Sequence, residues 1–333
     1  MTLRNLITDI PGIRVGHASD DKLASGVTAI IFDEPAIAAA DLRGGGPGTR
    51  ESALLEPAMT VERIDAIALA GGSAFGLDAA SGLQAFLAER GRGFKVRSAR
   101  VPIVPAAILF DLLNGGDKAW GRYPPYRELG YAAAQAAAES FALGSVGAGL
   151  GATTVNLKGG LGSASASVRG HIVGVLAAIN AAGAVTIGDG PHFWAAPYER
   201  NGEFGGRGFP SPFSTEALAF HSKAMPGEST ALVVVATNAA LSKPQVRRLA
   251  IMAQDGLARA IRPVHTLLDG DIVFAVALAA PGAPVLAEPI AELAELGAAA
   301  ADVVARAIAR GVYEAKGLQF PGALPAWRDR FGS

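Results

Sequence analysis

Two hydrophobic periods divide the chain. Runs that are apolar at nearly every position, rich in β-branched residues and closed by turn residues, lie at 26–32, 66–70, 171–177, 231–237 and 271–278. Strands buried on both faces read this way, because helices cover each side of their sheet. Segments 76–90, 130–143, 243–260 and 290–315 instead carry apolar residues at helical spacing. The last two are long and well formed, and the third has Ser242 as a candidate N-cap, Pro244 in the first turn, and Val246, Leu249, Ile251, Ala253, Leu257 and Ile261 at near-helical spacing. Strands and helices are mixed along the whole chain with no repeat period, so the predicted fold class is α/β or α+β.

Composition narrows the function classes. Half of the 333 residues are hydrophobic and only 18% are charged, with 29 Lys plus Arg against 30 Asp plus Glu. A balanced charge without a basic tail leaves no footprint for nucleic acid. There is no cysteine, which removes disulfides, thiolate metal sites and a Cys nucleophile. The five histidines form no ligand-spaced pair, so neither a metal nor another cofactor is expected. The start carries no secretory core and the longest uncharged run, 171–188, is broken by glycines and Asn180, so a cytoplasmic protein with no membrane span is expected.

Segment 191–227 has neither period and holds Pro-Tyr-Glu-Arg-Asn-Gly-Glu-Phe-Gly-Gly-Arg-Gly-Phe-Pro-Ser-Pro. A stretch of that length inside a compact chain is functional or disordered, and it tolerates a backbone cut. It runs into Glu228-Ser229-Thr230, two hydroxyl residues at the mouth of an unbroken apolar strand. A cut before Thr230 would give that residue a free α-amine beside its own hydroxyl, a nucleophile and its base in one residue. The plainer reading is a Ser/Thr turn that opens a strand.

Glycine is the second signal. Clusters occur at Arg43-Gly-Gly-Gly-Pro-Gly-Thr-Arg50, Gly71-Gly-Ser-Ala-Phe-Gly76, Gly147-Ala-Gly-Leu-Gly-Ala152 and Lys158-Gly-Gly-Leu-Gly-Ser163. The first lacks a P-loop lysine, and the third, although G-x-G-x-x-A, lacks the acidic residue of a dinucleotide site. Such glycines serve tight turns and close backbone approach, and they can line a site with amide N–H groups. Asn180 stands alone among apolar residues, and Asp269 and Asp271 flank Gly270 so that in extended geometry both face one side.

These motifs, together with Leu129-Gly-Tyr-Ala-Ala-Ala134, the Val-Val-Ala-Thr-Asn ending at Asn238, Met252 to Ile261, and His265-Thr266, resemble the L-aminopeptidase/D-esterase family in their joint order, from about Asp9 to Leu278. That family includes β-aminopeptidases and nylon-oligomer hydrolases. The resemblance implies an αββα sandwich similar to N-terminal nucleophile hydrolases, a single α/β domain over 1–333 that cuts itself into an α subunit 1–229 and a β subunit 230–333, and assembly into homo-oligomers.

The family's nucleophile falls on Thr230 when the strand is aligned backwards from Thr237. Where relatives carry Gly or Asn before the cut, this chain has Ser229, so a cut after Glu228 with Ser229 as nucleophile, or Ser229 as a substrate contact, stays open. The resemblance further implies Asn180 as oxyanion donor, Lys158 as a cation that steadies the tetrahedral charge, Asp269 and Asp271 as partners of the nucleophile, and Tyr131 as a hydrogen-bonding wall of the substrate site. The expected activity is hydrolysis of a small peptide, amide or ester, foremost as an aminopeptidase. An amide-oligomer hydrolase, an acyltransferase similar to ornithine acetyltransferases and an unprocessed binding protein are the alternatives.

Overall fold

The computed structural model describes residues 3–223, 229–267, 269–279, 283 and 285–332. In chain order the elements are β1 (Ile13–Asp20), β2 (Ser25–Leu42), β3 (Thr49–Arg50), β4 (Arg63–Ala70), α1 (Ala79–Ala88), β5 (Phe94–Val96), β6 (Ala99–Val101), β7 (Ala106–Ile108), α2 (Tyr126–Gln135), β8 (Gly160–Val168), β9 (His171–Asn180), β10 (Thr230–Thr237), α3 (Lys243–Ala260), β11 (Ile272–Ala277), α4 (Pro289–Tyr313) and α5 (Trp327–Phe331). A nine-stranded sheet runs β3-β7-β4-β2-β11-β10-β9-β8, with β1 paired to β2.

The sheet forms two layers because β2 serves both. Its first half pairs with β1 and β4, its second half pairs with β11, and its register against β4 shifts between Ile31 and Ala36. Pro35 lies inside that irregularity, where a residue without an N–H is tolerated.

Side-chain alternation then builds three cores. On β10, Ala231, Val233 and Val235 pack into a core with Leu249 of α3 and Val304 and Ile308 of α4. Leu232, Val234 and Ala236 point the other way, into a core shared with Ile30 and Phe32 of β2 and Ile67 of β4. Val27, Ala29 and Ile31 of β2 face Leu83, Leu87 and Tyr126 of α1 and α2. The order is helix, sheet, sheet, helix: the expected αββα sandwich. No helix among the described residues is long and apolar enough to cross a membrane.

One expectation is corrected. The helix placed at 130–143 is instead α2, which starts and ends earlier, and Ala138 bonds β1 as an isolated bridge. The cluster at Lys158–Ser163 leads into strand β8, whose glycines give α4 the close backbone approach expected of them. A β-carbon at Gly162 would lie 1.9 Å from the Ala307 carbonyl oxygen, so only glycine lets helix and strand approach this closely. Segment 191–223 does carry no helix beyond the short 3-10 turns Ala196–Tyr198 and Thr215–Leu218.

Candidate active site

Thr230 opens β10 between two partners: antiparallel β9, where Asn180 is its cross-strand neighbour, and parallel β11, just beyond Asp271. Ser229 pairs with Asp269 in a parallel bridge that extends the ladder past the strand end. The carbonyl oxygen of Ser229 therefore accepts the Gly270 N–H at 2.8 Å. It also accepts the Thr230 hydroxyl at 2.5 Å. One carbonyl is thus polarised by two donors, and one of those donors is the hydroxyl that follows it in the chain. Thr230 and Ser229 are both buried, and the Ser229 hydroxyl has no hydrogen-bond partner among the described residues. Gly270 is required by contact: a β-carbon there would lie 2.8 Å from Thr230 Oγ1 and 2.8 Å from the Gly46 carbonyl oxygen. The first glycine cluster is thereby part of the site, and Gly46 N–H bonds the Asp269 carbonyl at 2.8 Å.

Asp269 and Asp271 clamp the two strands on either side of Gly270. Asp271 Oδ1 accepts the Ala231 N–H at 2.7 Å, and its Oδ2 takes His265 Nδ1 at 2.9 Å. Asp269 Oδ1 accepts the Ala182 N–H at 3.2 Å, just beyond β9, and its Oδ2 takes both the N–H and the hydroxyl of Thr266 at 2.8 Å. Burial and then the neighbouring Asp271 charge raise the Asp269 carboxyl above its ordinary range, against the Thr266 and Ala182 hydrogen bonds. Both carboxylates hold backbone of the strands that flank and present Thr230.

Asn180 Oδ1 accepts the Thr153 N–H at 3.0 Å and Lys223 Nζ at 3.2 Å, while Nδ2 donates to the Phe110 carbonyl at 3.0 Å. Lys158 is fully buried and donates to the carbonyls of Gly149, Ala152 and Gly159 at 2.9, 2.9 and 2.8 Å. Burial lowers it to about 7, Asp111 opposes that fall, and the Lys223 charge adds to it. Three acceptors call for three N–H donors, which only the ammonium has. Its observed work is to hold the turn that carries Thr153, and so Asn180.

A cavity of 330 Å³ lies against this cluster, with Asp111, Asn114, Thr153, Lys158, Lys223 and Leu324 among its walls. Thr230 lies across the strand ladder from Asn180, whose Oδ1 accepts the N–H of the wall residue Thr153. Asp111 accepts Ser25 Oγ at 2.6 Å and the Gly72 N–H at 2.7 Å, and Tyr126 donates to Ser25 Oγ at 3.0 Å. Burial raises Asp111, against the Ser25 hydrogen bond, and raises Tyr126 further, helped by the Asp111 charge. Gly72 has φ +82°, and a β-carbon on it would lie 2.1 Å from the Tyr126 ring, so the second glycine cluster makes room for this tyrosine.

The structure brings together Thr230, Ser229, Asn180, Asp269 and Asp271 by direct strand neighbourhood, and Lys158 through Thr153. Tyr131 stands apart. Its hydroxyl donates to Glu89 at 2.7 Å on the exposed α1–α2 face, with its ring edge-on to Phe86, and none of its described contacts reaches the cavity. Tyr126, on the same helix, has the place near the wall that was expected of Tyr131. Sequence reading also missed Asp111, Ser25, Thr153 and Lys223. Asp111 follows an apolar run and is the first charge after Arg100, a signal of a buried, partnered carboxylate. Lys223 offered no signal, being one cation in a featureless segment. Glu228, whose following bond would be cut in the Ser229 alternative, lies outside the described residues.

The site thus combines a buried hydroxyl aimed at the preceding carbonyl with carboxylate-clamped strands, set in an αββα sandwich, and the chain is of the peptidase class. The chain belongs to peptidase family S58, whose sequence model matches residues 5–323. It is 45% identical over 347 residues to an uncharacterized aminopeptidase of Mycobacterium tuberculosis, covering 98% of both chains. It is 27% identical over 283 residues to a 6-aminohexanoate-oligomer endohydrolase of a Kocuria species, covering 80% of this chain and 73% of that one. Among solved structures it is similar to a Burkholderia β-aminopeptidase, with TM-score 0.72, 25% identity, and 98% and 91% of the two chains covered. The fold also matches that of an L-aminopeptidase D-Ala-esterase/amidase from Ochrobactrum anthropi, described as a variant of the Ntn hydrolase fold, at TM-score 0.72 and 20% identity over 98% and 91% of the chains.

Proposed function

We propose that this chain is a self-processing aminopeptidase, one α/β unit over 1–333 that cuts itself between Ser229 and Thr230 and then uses Thr230 as its nucleophile. The observation that carries this reading is the Ser229 carbonyl, bound at once by the Gly270 N–H and by the Thr230 hydroxyl. Thr230 Oγ attacks that carbonyl carbon, the C–N bond breaks, and the hydroxyl proton passes to the departing Thr230 nitrogen. Water then hydrolyses the resulting ester, which leaves Ser229 with a carboxylate and Thr230 with an amine. The new α-amine, with an ordinary pKa of about 7.7–8, takes the hydroxyl proton in each later turnover on substrate. Asn180, the Gly270 N–H and the cation at Lys158 supply the field for the tetrahedral oxygen.

The aminopeptidase relative at 45% identity favours a short peptide with a free amine. Hydrolysis of amide oligomers is the second reading, favoured by the 6-aminohexanoate-oligomer endohydrolase relative. Thr230 is favoured over Ser229 because the Ser229 hydroxyl makes no hydrogen bond among the described residues. The unit assembles as a homo-oligomer; the exposed apolar pair Phe94 and Val101 on the β5–β6 hairpin supports this.

Intact mass and denaturing electrophoresis on fresh protein, on Thr230→Ala and on Ser229→Ala test the reading. Fragments 1–229 and 230–333, absent in Thr230→Ala and retained in Ser229→Ala, are the expected result. A wild-type chain that stays whole on incubation overturns self-processing. Turnover of amines as acyl acceptors in preference to water would move the activity to an acyltransferase.

A further inference from the structure

Lys223 enters the cavity from the segment that leads to the cut. Its Nζ lies 2.8 Å from the Thr153 carbonyl oxygen, 3.2 Å from Asn180 Oδ1 and 3.4 Å from the Asn180 carbonyl oxygen. Its backbone N–H bonds the Ala182 carbonyl at 3.1 Å, which ties the lysine beside the extension of β9. The acceptors are built independently of this lysine. Thr153 and Asn180 hold each other through the Thr153 N–H, Asn180 is held by Phe110, and Lys158 pins the preceding turn. Three oxygens converging on one nitrogen make a site that a primary ammonium, with its three N–H donors, satisfies. Asp111 and Asn114 line the same cavity.

The position of this cluster matters for catalysis. Asn180 is the cross-strand partner of Thr230, and such Cα atoms lie about 4.5–5.5 Å apart. An ammonium at these acceptors is therefore about one residue away from the nucleophile. We infer that Thr153 O, Asn180 O and Asn180 Oδ1 form the subsite for the free amine of the substrate, and that Lys223 is an internal occupant which substrate must displace. This rests on the aminopeptidase reading above. A tethered competitor acts at an effective concentration of the order of millimolar, so its removal raises apparent affinity for an amine-bearing ligand without adding any contact.

The test uses the self-processed full chain, with binding of L-alanyl-L-alanine and of its N-acetyl counterpart read as inhibition constants against turnover of L-alanine p-nitroanilide. Adding Lys223→Ala should tighten binding of the free dipeptide by about tenfold and leave the N-acetyl dipeptide unchanged. Lys223→Met, which keeps the length of the side chain and removes its charge, should give the same amine-selective gain. An equal gain for both dipeptides would show that Lys223 only fills space, and no gain for either would show that it occupies no subsite; each overturns the inference. Should neither dipeptide bind any form, the inference falls together with the short-peptide reading. Should wild-type protein cut itself and release amino acids while the variants show no amine-selective gain, only the inference falls.

Discussion

The ammonium of Lys158 makes a prediction that stability measurements can read directly. Burial lowers it from the ordinary lysine value of 10.5 to about 7. The side chain is 1% exposed, so solvent screening does not dilute the effect. A difference of about 3.5 pH units corresponds to about 5 kcal/mol at about 1.36 kcal/mol per unit. The sign follows from proton counting. Between pH 7 and 10.5 the unfolded chain keeps this proton and the folded chain releases it, so raising the pH favours folding. Below about pH 7 both states are protonated and the full cost of burial is present.

The absolute effect of Lys158→Met is a poor readout, because three charge-assisted hydrogen bonds of about 1.5–3 kcal/mol each are lost while a burial cost of similar size is relieved. The pH slope isolates the titration. A Thr230→Ala background keeps the chain whole, and urea unfolding of that parent and of the same chain carrying Lys158→Met gives the comparison. Their stability difference should be flat from about pH 5.5 to 6.5 and should then shift in favour of the parent, by about 2 kcal/mol between about pH 8 and 9.5. A difference that stays flat to about pH 9.5 would refute the reasoning and show that the three carbonyls hold the proton as tightly as water does.

Gly270→Ala places a β-carbon against Thr230 Oγ1, and self-cleavage should slow by about 100-fold, as a displacement near 1 Å does to an aligned reaction; unchanged fragment yield on a timed gel would show the contact is relieved cheaply. Tyr126→Phe removes the hydroxyl that bonds Ser25 beside Asp111 and should lower kcat/KM by about tenfold, one hydrogen bond's worth, whereas Tyr131→Phe, losing only an exposed bond to Glu89, should leave it unchanged. Arg306 of α4 pairs with Glu203 at 2.5 Å, both nearly buried and on opposite sides of the proposed cut. Arg306→Met leaves Glu203 with Arg310 at 3.6 Å and Asn5, so it should cost about 3 kcal/mol in urea unfolding, the low end for a broken buried pair, and adding Glu203→Gln should restore part of it; equal loss in single and double variants would assign the effect to packing.

Local chemistry was legible wherever it was repeated along the chain. Burial on both faces identified β10 and β11 within a residue at each end, since every position from Thr230 to Thr237 is buried, and the cap and stripe of α3 placed that helix from Lys243 to Ala260. The Ser229-Thr230 junction and the Asp-Gly-Asp triplet were visible for the same reason: each is a short, contiguous pattern. What sequence spacing does not encode is which strands become neighbours. β8 carries no strand signal of its own because its small residues answer to α4, which lies far along the chain. Tyr126 and Tyr131 sit on one helix with similar surroundings in sequence, and only packing of α2 turned the first toward Ser25 and left the second at the surface. Phe110, Thr153 and Lys223 come to Asn180 from separate segments. The composition and periods of the chain determined sheets covered by helices and a pair of hydroxyl residues at a strand mouth. The tertiary structure alone decided that the Gly270 N–H meets the same Ser229 carbonyl and that Lys158 and Lys223 face one cavity, because those contacts join residues whose separation along the chain carries no local signal.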